Sequence, residues 1–447
     1  MAIIKKIKKR NGAVVVFNPD RISNAIYRAA VAVGGRDRVT SERLSAQVVA
    51  LLEQNTPHGY IPDIEQVQDA VEKVLIENGH ARVAKAYILY REERTRSRGI
   101  NAELASKPSG NIPWAKIWHV LDWAASHNVH TIQHYNERLA QGELRDIIHE
   151  SEKAYHEDVE SAVEMIAQRR DELRLVIITG PSSSGKTTTT AKISEHLKRL
   201  GINLVTLNVD NYFFDLSLHP IDEFGDYDFE TPQALDLHLI NEHISALIAG
   251  KEIKIPYYDF KIGKRKPEQT PMHLKAGEMI LIDSLHGLYP DMTQGIDQQA
   301  QFKTYLEPLL QMKTDENEFI KWTDIRLMRR MLRDAAHRSY DPEKTLTHWH
   351  YVRSSEMRNI IPYNHTVDYV INSAMPYELS LYKPRLINSF IDWEKKYQDD
   401  PLREDAFIRT QRIHKMLAQF TEINDDLTVP SDSVIREFIG GSVYDLH

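Results

Sequence analysis

Residues 173–190 read LRLVIITGPSSSGKTTTT, and the organisation of the chain follows from them. Leu173 to Thr179 is a short apolar run, of a length that suits a buried strand. It enters Gly180-Pro181-Ser182-Ser183-Ser184-Gly185-Lys186-Thr187-Thr188, after which Ile193, Leu197 and Leu200 recur at helical spacing until Gly201. Strand, glycine-bounded loop and helix in that order give the spacing G-x-x-x-x-G-K-T a mechanical meaning. The glycines let backbone N–H groups turn inward around phosphate oxygens, at the positive end of the helix that starts there. Lys186 then reaches the outer phosphates, and the Thr187 hydroxyl holds Mg²⁺. The plain alternative is a glycine turn capping an ordinary helix; the strand before and the helix after weigh against it.

Outward from this stretch, the 447 residues exceed what one core usually supports, so several domains are expected. Apolar and charged fractions of 42% and 27% are those of a globular protein rather than a disordered or fibrous one. A net charge of −8 argues against wholesale nucleic-acid binding. The absence of cysteine excludes disulfides, thiolate zinc sites and cysteine nucleophiles. No apolar run is long enough for a signal peptide or a membrane span, so a cytoplasmic protein without a membrane partner is expected.

Before the loop, Ile3 to Ile7 and Ala13 to Phe17 flank Lys8-Lys9-Arg10-Asn11-Gly12, a hairpin signal. Helical spacing follows over Pro19 to Val33, Thr40 to Gln54, Ile64 to Asn78 and His80 to Arg96. This segment resembles the ATP-cone, the nucleotide-sensing domain at the front of ribonucleotide reductases and of their transcriptional repressor. The likeness rests on KKRNG (8–12), VFNPDRISNAIYRAA (16–30), VQDAVEKVL (67–75) and VAKAYILYREER (83–94). It implies that Lys9, Arg10 and Arg21 face nucleotide phosphates, with ATP or dATP as an allosteric effector. The plain alternative is a solvated basic edge that discourages aggregation.

Residues 97–170 begin with a loop signature at 106–113 and continue as helical patterns. Trp114, Trp118 and Trp123 read as packing residues, His127 and His130 as surface or packing residues, and the helix from about Asp146 to Arg170 as a semi-rigid connector.

After the loop, Leu204 to Val209 reads as a second buried strand with Asp210 at its carboxyl end. That edge of an open α/β sheet is where ligands bind, so Asp210 is a candidate general base or Mg²⁺ ligand. Asp210-Asn211-Tyr212-Phe213, Tyr227-Asp228-Phe229-Glu230-Thr231-Pro232, Ile255-Pro256-Tyr257-Tyr258-Asp259-Phe260, Ile282-Asp283-Ser284-Leu285-His286-Gly287 and Thr323-Asp324-Ile325-Arg326-Leu327-Met328-Arg329-Arg330 follow in order. Together they resemble the uridine kinase and phosphoribulokinase family of P-loop kinases over about residues 173–380.

The resemblance implies a doubly wound parallel α/β sheet and the cofactors ATP and Mg²⁺. Residues 180–188 and Arg338 would hold ATP, and Thr187, Asp210 and Asp283 the metal. Asp210 would activate the acceptor hydroxyl, with Lys186, Arg329, Arg330 and Arg333 stabilising the transferred group. Asp228, Glu230 and Tyr258 would contact a nucleoside-like acceptor. Asp283 stands where nucleoside kinases usually have Glu. Lys261 to Lys266 replaces a base-reading histidine, cations that would suit a phosphorylated sugar or nucleotide or simply charge a lid. His348 and His350, flanking Trp349, read as packing residues.

The division expected is 1–96 nucleotide-sensing, 97–170 connector, 171–380 kinase and 381–447 a helical extension, in a homo-oligomer. The reading is an ATP-dependent kinase for a small-molecule alcohol of the uridine or cytidine type, regulated from its N-terminus. A nucleotide-responsive switch built on a kinase fold is the alternative.

Overall fold

The computed structural model describes residues 4–8, 14–33, 35, 37–57, 60–88, 110–219, 229–337 and 341–444. The chain forms two compact units, Met1–Ser109 with Asp399–Glu404, and Gly110–Gln398 with Asp405–His447.

In the first unit β1 (Lys6–Lys8) and β2 (Val14–Val16) pair antiparallel, Lys6 opposite Val16. Lys9 and Arg10, in the expected turn, lie outside the described residues. Helices α1 (Asp20–Ala32), α2 (Arg38–Asn55), α3 (Ile64–Glu77) and α4 (81–88) follow. Asp63 and Gln66 form a reciprocal capping box that starts α3, and Gly79, at φ +79°, ends the turn after it. Ile22, Ile26, Val48, Leu52, Val71, Val74 and Leu75 meet in one buried cluster, the outcome of the helical spacing of apolar residues. Arg21 is exposed on the first turn of α1.

The second unit opens with α5 (Trp114–Ser126), α6 (Ile132–Ala140) and α7 (Leu144–Gln168). Then come β3 (Leu175–Thr179), α8 (Lys186–Arg199), β4 (Leu204–Thr206) and α9 (Leu237–Ile248). A separate antiparallel hairpin joins β5 (Ile253–Asp259) to β6 (Lys264–Met272). Strands β7 (Met279–Asp283) and β8 (Gln301–Glu307) precede α10 (Trp322–His337), α11 (Pro342–Asn359) and β9 (Tyr369–Asn372). Helices α12 (Glu378–Tyr397), α13 (Glu404–Gln419) and α14 (Arg436–Ile439) complete the chain.

The five-stranded sheet has the order β4-β7-β3-β8-β9, with every pair parallel. Strand β3 is buried along its whole length at the centre. Its side chains alternate between two cores: Val176 and Ile178 join Ile193 and Leu197 of α8, whereas Leu175 and Ile177 join Ile240 and Ile244 of α9. A sheet covered on both faces is the doubly wound arrangement expected, and its ligand crevice opens at the carboxyl ends of the central strands.

Two expectations change. Helix α7 is no connector: Tyr155, Val159, Ala162, Val163 and Ile166 are buried in the same core as β3, and Phe390, Ile413 and Phe420 of the C-terminal segment join them. Both flanking segments are parts of the second unit's core, because each presents an apolar stripe that the sheet's helices bury. Trp114 and Trp118, read as packing residues, are 58% and 69% exposed, and only Trp123 of the three packs against the core. Among the described residues no helix is long and apolar enough to cross a membrane.

Candidate active site

The loop between β3 and α8 wraps tightly. A Cβ on Gly180 would lie 2.4 Å from the Leu306 carbonyl oxygen, and one on Gly185, which is left-handed at φ +93°, 2.5 Å from Val434 Cγ2. Glycine is therefore required at both ends, as the spacing implied. Lys186 folds back over the loop and donates to the carbonyls of Gly180 (3.0 Å) and Pro181 (3.2 Å). The Ser183 and Ser184 hydroxyls are buried with no hydrogen-bond partner among the described residues. A cradle with room only for glycine, an ammonium across it and unspent hydroxyls inside it fits a polyphosphate.

The carboxylates stand beside it. Asp283 ends β7, paired in register with Ile178 of β3, and accepts a hydrogen bond from Thr190 Oγ1 at 3.0 Å. Burial pushes its carboxyl up to about 6, opposed by the Lys186 ammonium, and the nearby charge of Asp210 adds to the rise. Burial likewise holds the Lys186 ammonium below its ordinary range, opposed first by Asp283. Asp210 is exposed on the single turn Val209–Tyr212 beyond β4, its N–H held by Asn208 Oδ1 at 3.0 Å. Asn211 Oδ1 accepts from the Tyr258 N–H at 3.3 Å, which ties the Asp-Asn motif to the β5 motif. With Thr187 on the first turn of α8, these are hard oxygen donors beside a phosphate cradle, a set that fits Mg²⁺.

Helix α10 supplies arginines unequally. Arg330 donates to Ser182 Oγ (3.3 Å) and to Glu230 (2.9 Å), joining the loop to a residue expected on the acceptor side. Arg333 bonds Asp334 at 3.0 Å and lies near enough to Lys186 to depress its pKa. Arg329, expected beside the transferred group, points elsewhere. It is fully buried against Glu378 (2.7 Å) and donates to the Ser373 carbonyl (2.7 Å), so its fork is spent inside the protein. Arg338 lies outside the described residues, as does Asp228.

On the acceptor side the Tyr258 ring packs against Phe213 and Phe260, with centroids 5.6 and 4.8 Å away, and its buried hydroxyl has no partner among the described residues. Tyr257 and Phe260 are about half exposed. The cations after the β5 motif are spent on acids from outside the hairpin: Lys264 pairs with Asp215 and Arg265 with Asp236, both at 2.9 Å. His348 and His350 each bond a carbonyl of their own helix while Trp349 between them is buried.

Three residues were missed. Arg326 is fully buried, bonds Glu307 (2.8 Å) and Glu356 (2.5 Å), and donates to the Ser182 carbonyl (3.2 Å), bracing the loop from behind. His286 is buried with neither ring nitrogen bonded among the described residues, and burial, with Lys186 nearby, holds it neutral at about 3. Glu437, in the C-terminal segment, accepts from both the N–H and the hydroxyl of Thr188, each at 3.1 Å. The first two sit inside quoted motifs; nothing local marks the third.

A parallel sheet with a phosphate cradle, a buried lysine and paired carboxylates at its carboxyl edge defines a nucleotide-using phosphotransferase of the P-loop type. The comparisons agree. Residues 175–379 match the model of the phosphoribulokinase / uridine kinase family, and residues 5–96 that of the ATP cone domain. A uridine kinase of Deinococcus deserti is 27% identical over 43% of this chain and 84% of its own length. One of Bacillus licheniformis is 30% identical over 36% of this chain and 67% of its own. A uridine-cytidine kinase of Dictyostelium discoideum is 29% identical over 44% and 73%. The chain belongs to the phosphoribulokinase / uridine kinase family, with an ATP-cone domain ahead of the kinase, and is a phosphotransferase with an alcohol group as acceptor.

Proposed function

We propose that the second unit transfers the γ-phosphoryl group of ATP to a hydroxyl of a nucleoside of the uridine or cytidine type, and that nucleotide at the first unit regulates it. The observation that carries the reading is the meeting of Lys186, Asp283 and Asp210 at the carboxyl edge of the sheet, with Arg330 joining the loop to Glu230.

Asp210, exposed on the turn beyond the carboxyl end of β4, takes the proton of the acceptor hydroxyl. Residues 180–188 orient the triphosphate through backbone N–H groups, and Lys186, Arg330 and Arg333 neutralise charge on the transferred group. Thr187 and Asp283, with Asp210 beside them, hold Mg²⁺, which supplies charge neutralisation on the phosphate oxygens. Glu230, fixed by Arg330, accepts hydrogen bonds from sugar hydroxyls, and Tyr258 and His286 offer neutral, desolvated polar groups to an uncharged ligand. The pairing of Lys264 with Asp215 and of Arg265 with Asp236, the N-cap of α9, favours a neutral acceptor over a phosphorylated sugar.

The functional division follows the two units, so residues 110–170, 381–398 and 405–444 serve the catalytic body instead of standing apart from it. In the first unit the exposed Arg21 serves the effector phosphates.

Transfer of labelled phosphoryl from ATP to a panel of nucleosides, nucleotides and phosphosugars tests the reading. Uridine or cytidine as the best acceptor is expected; preference for a phosphosugar overturns the acceptor, and hydrolysis alone points to a switch. ATP and dATP should shift turnover of the wild type differently, and Arg21→Glu should blunt that response. An unaltered response removes the regulatory role of this residue.

A further inference from the structure

Away from the phosphate loop, α7 and α8 bring three metal-ligating side chains together. His156 and Glu160 stand one turn apart on α7, with His156 Nε2 3.2 Å from Glu160 Oε1. His196 of α8 meets His156 edge to face, ring centroids 5.1 Å apart. One ligand atom from each of the three lies within 4.8 Å of the others. We propose that His156, Glu160 and His196 form a site for a divalent transition-metal ion of the zinc type, which clamps the phosphate-loop helix to α7.

The chemistry suits the ion. Two imidazoles and a carboxylate are borderline ligands of the kind zinc takes, and three protein ligands leave a fourth position for water. Metal–ligand bonds of about 2.0–2.2 Å put tetrahedral ligand atoms about 3.3–3.5 Å apart. The His156–Glu160 separation of 3.2 Å is already close to that edge, and a small rotation brings His196 in.

The charges around the cluster do not oppose a cation. Lys192 and Arg199, the basic neighbours on α8, are paired with Asp432 and Glu195, each at 2.6 Å. An exposed His–Glu pair one turn apart on a helix is by itself only a weak ion pair. The third ligand, from a second helix packed in the same core, is what distinguishes this place. His196 lies ten residues along α8 from Lys186, about 15 Å at helical rise, so the cluster is separate from the kinase site.

The test uses the full chain, freed of metal with a chelator and titrated with Co²⁺ as a spectroscopic stand-in and with Zn²⁺ by calorimetry. A strong visible absorption from Co²⁺ in a low-coordinate site, displaced by one equivalent of Zn²⁺, is expected. His156→Ala and His196→Ala should each weaken Zn²⁺ binding by about 100-fold or more, whereas Asp283→Asn, which alters the phosphate-loop carboxylates, should leave the Co²⁺ spectrum unchanged. Zn²⁺ should raise the Tm of the wild type and not of the His156→Ala/His196→Ala variant, whose metal-free Tm should match the wild type's. The chain carries other histidines, so equal Zn²⁺ affinity in wild type and double variant overturns the proposal. So does loss of the Co²⁺ spectrum in Asp283→Asn with retention in the double variant.

Discussion

The two sides of α10 carry the same residue type to opposite ends. Arg329 and Arg330 are neighbours in sequence, about 100° apart around the helix. Arg330 faces the phosphate loop and reaches Ser182, while Arg329 faces α12 and the C-terminal segment, buried on Glu378 with its guanidinium 4.9 Å from the Phe438 ring centroid. Arg330 stays partly exposed at the loop, ion-paired to Glu230 and Asp334, whereas Arg329 is spent on the core. A basic helix beside a phosphate loop is therefore not a row of equivalent phosphate clamps.

The comparison can be broken in several ways, and the largest effect belongs to the chemistry it surrounds. Asp210→Asn should lower turnover by about 100- to 10,000-fold with Tm unchanged, because the residue is exposed and, in the proposed mechanism, takes the acceptor's proton. Steady-state kinetics alongside a melting curve check this, and near-normal turnover would falsify the base assignment.

Next come the two arginines. Arg329→Ala should destabilise the protein by about 3–5 kcal/mol, since it leaves the Glu378 carboxylate buried without its partner. Arg330→Ala should leave the denaturant midpoint nearly in place and depress phosphoryl transfer instead. If both variants lose stability equally, the contrast between the two sides is wrong.

A third test uses pH. Asp283 titrates at about 6 in the folded chain against an ordinary value of 3.8. The folded state therefore keeps this proton longer than the unfolded one, and its contribution to stability falls as pH rises between about 4 and 6, by at most about 3 kcal/mol. Denaturant unfolding of the nucleotide- and Mg²⁺-free wild type and of Asp283→Asn across that window should show the fall as the difference between them. Because Glu356, Asp215 and Asp432, held below the ordinary carboxylate range, pull the whole profile the other way, the reading is the wild type minus Asp283→Asn, and a difference that rises with pH contradicts the burial of Asp283.

The smallest effect concerns the C-terminal segment. Glu437 places a carboxylate on the Thr188 N–H, a first-turn donor of the kind that receives phosphate. Glu437→Gln removes that negative charge and should tighten ATP binding several-fold, a shift of about 1 kcal/mol. Weaker binding in this variant would make Glu437 a support of the cradle and not a competitor within it.

Much of the site was legible because its chemistry is local. G-x-x-x-x-G-K-T encodes its own backbone path, and Asp210 and Asp283 each follow an apolar strand whose carboxyl end is where ligands gather in a parallel sheet. The first unit was legible for a similar reason: its helices show their apolar period, and Gly79 closes the turn after α3. The role of α7 was less so. A 25-residue helix with many charges reads as a strut until a sheet is there to bury Tyr155 and Val159.

By itself the sequence determined the backbone path of the phosphate loop and the strands beside it, because these rest on backbone propensity and short-range spacing, and its ordered motifs carried the resemblance to the kinase family and to the domain in front. Tertiary structure alone decided which charges remain available. Arg329 meets Glu378, Lys264 meets Asp215, and Thr188 meets Glu437 across 249 residues of chain. A charged side chain leaving water must find a partner, and that partner is set by packing, not by spacing along the chain.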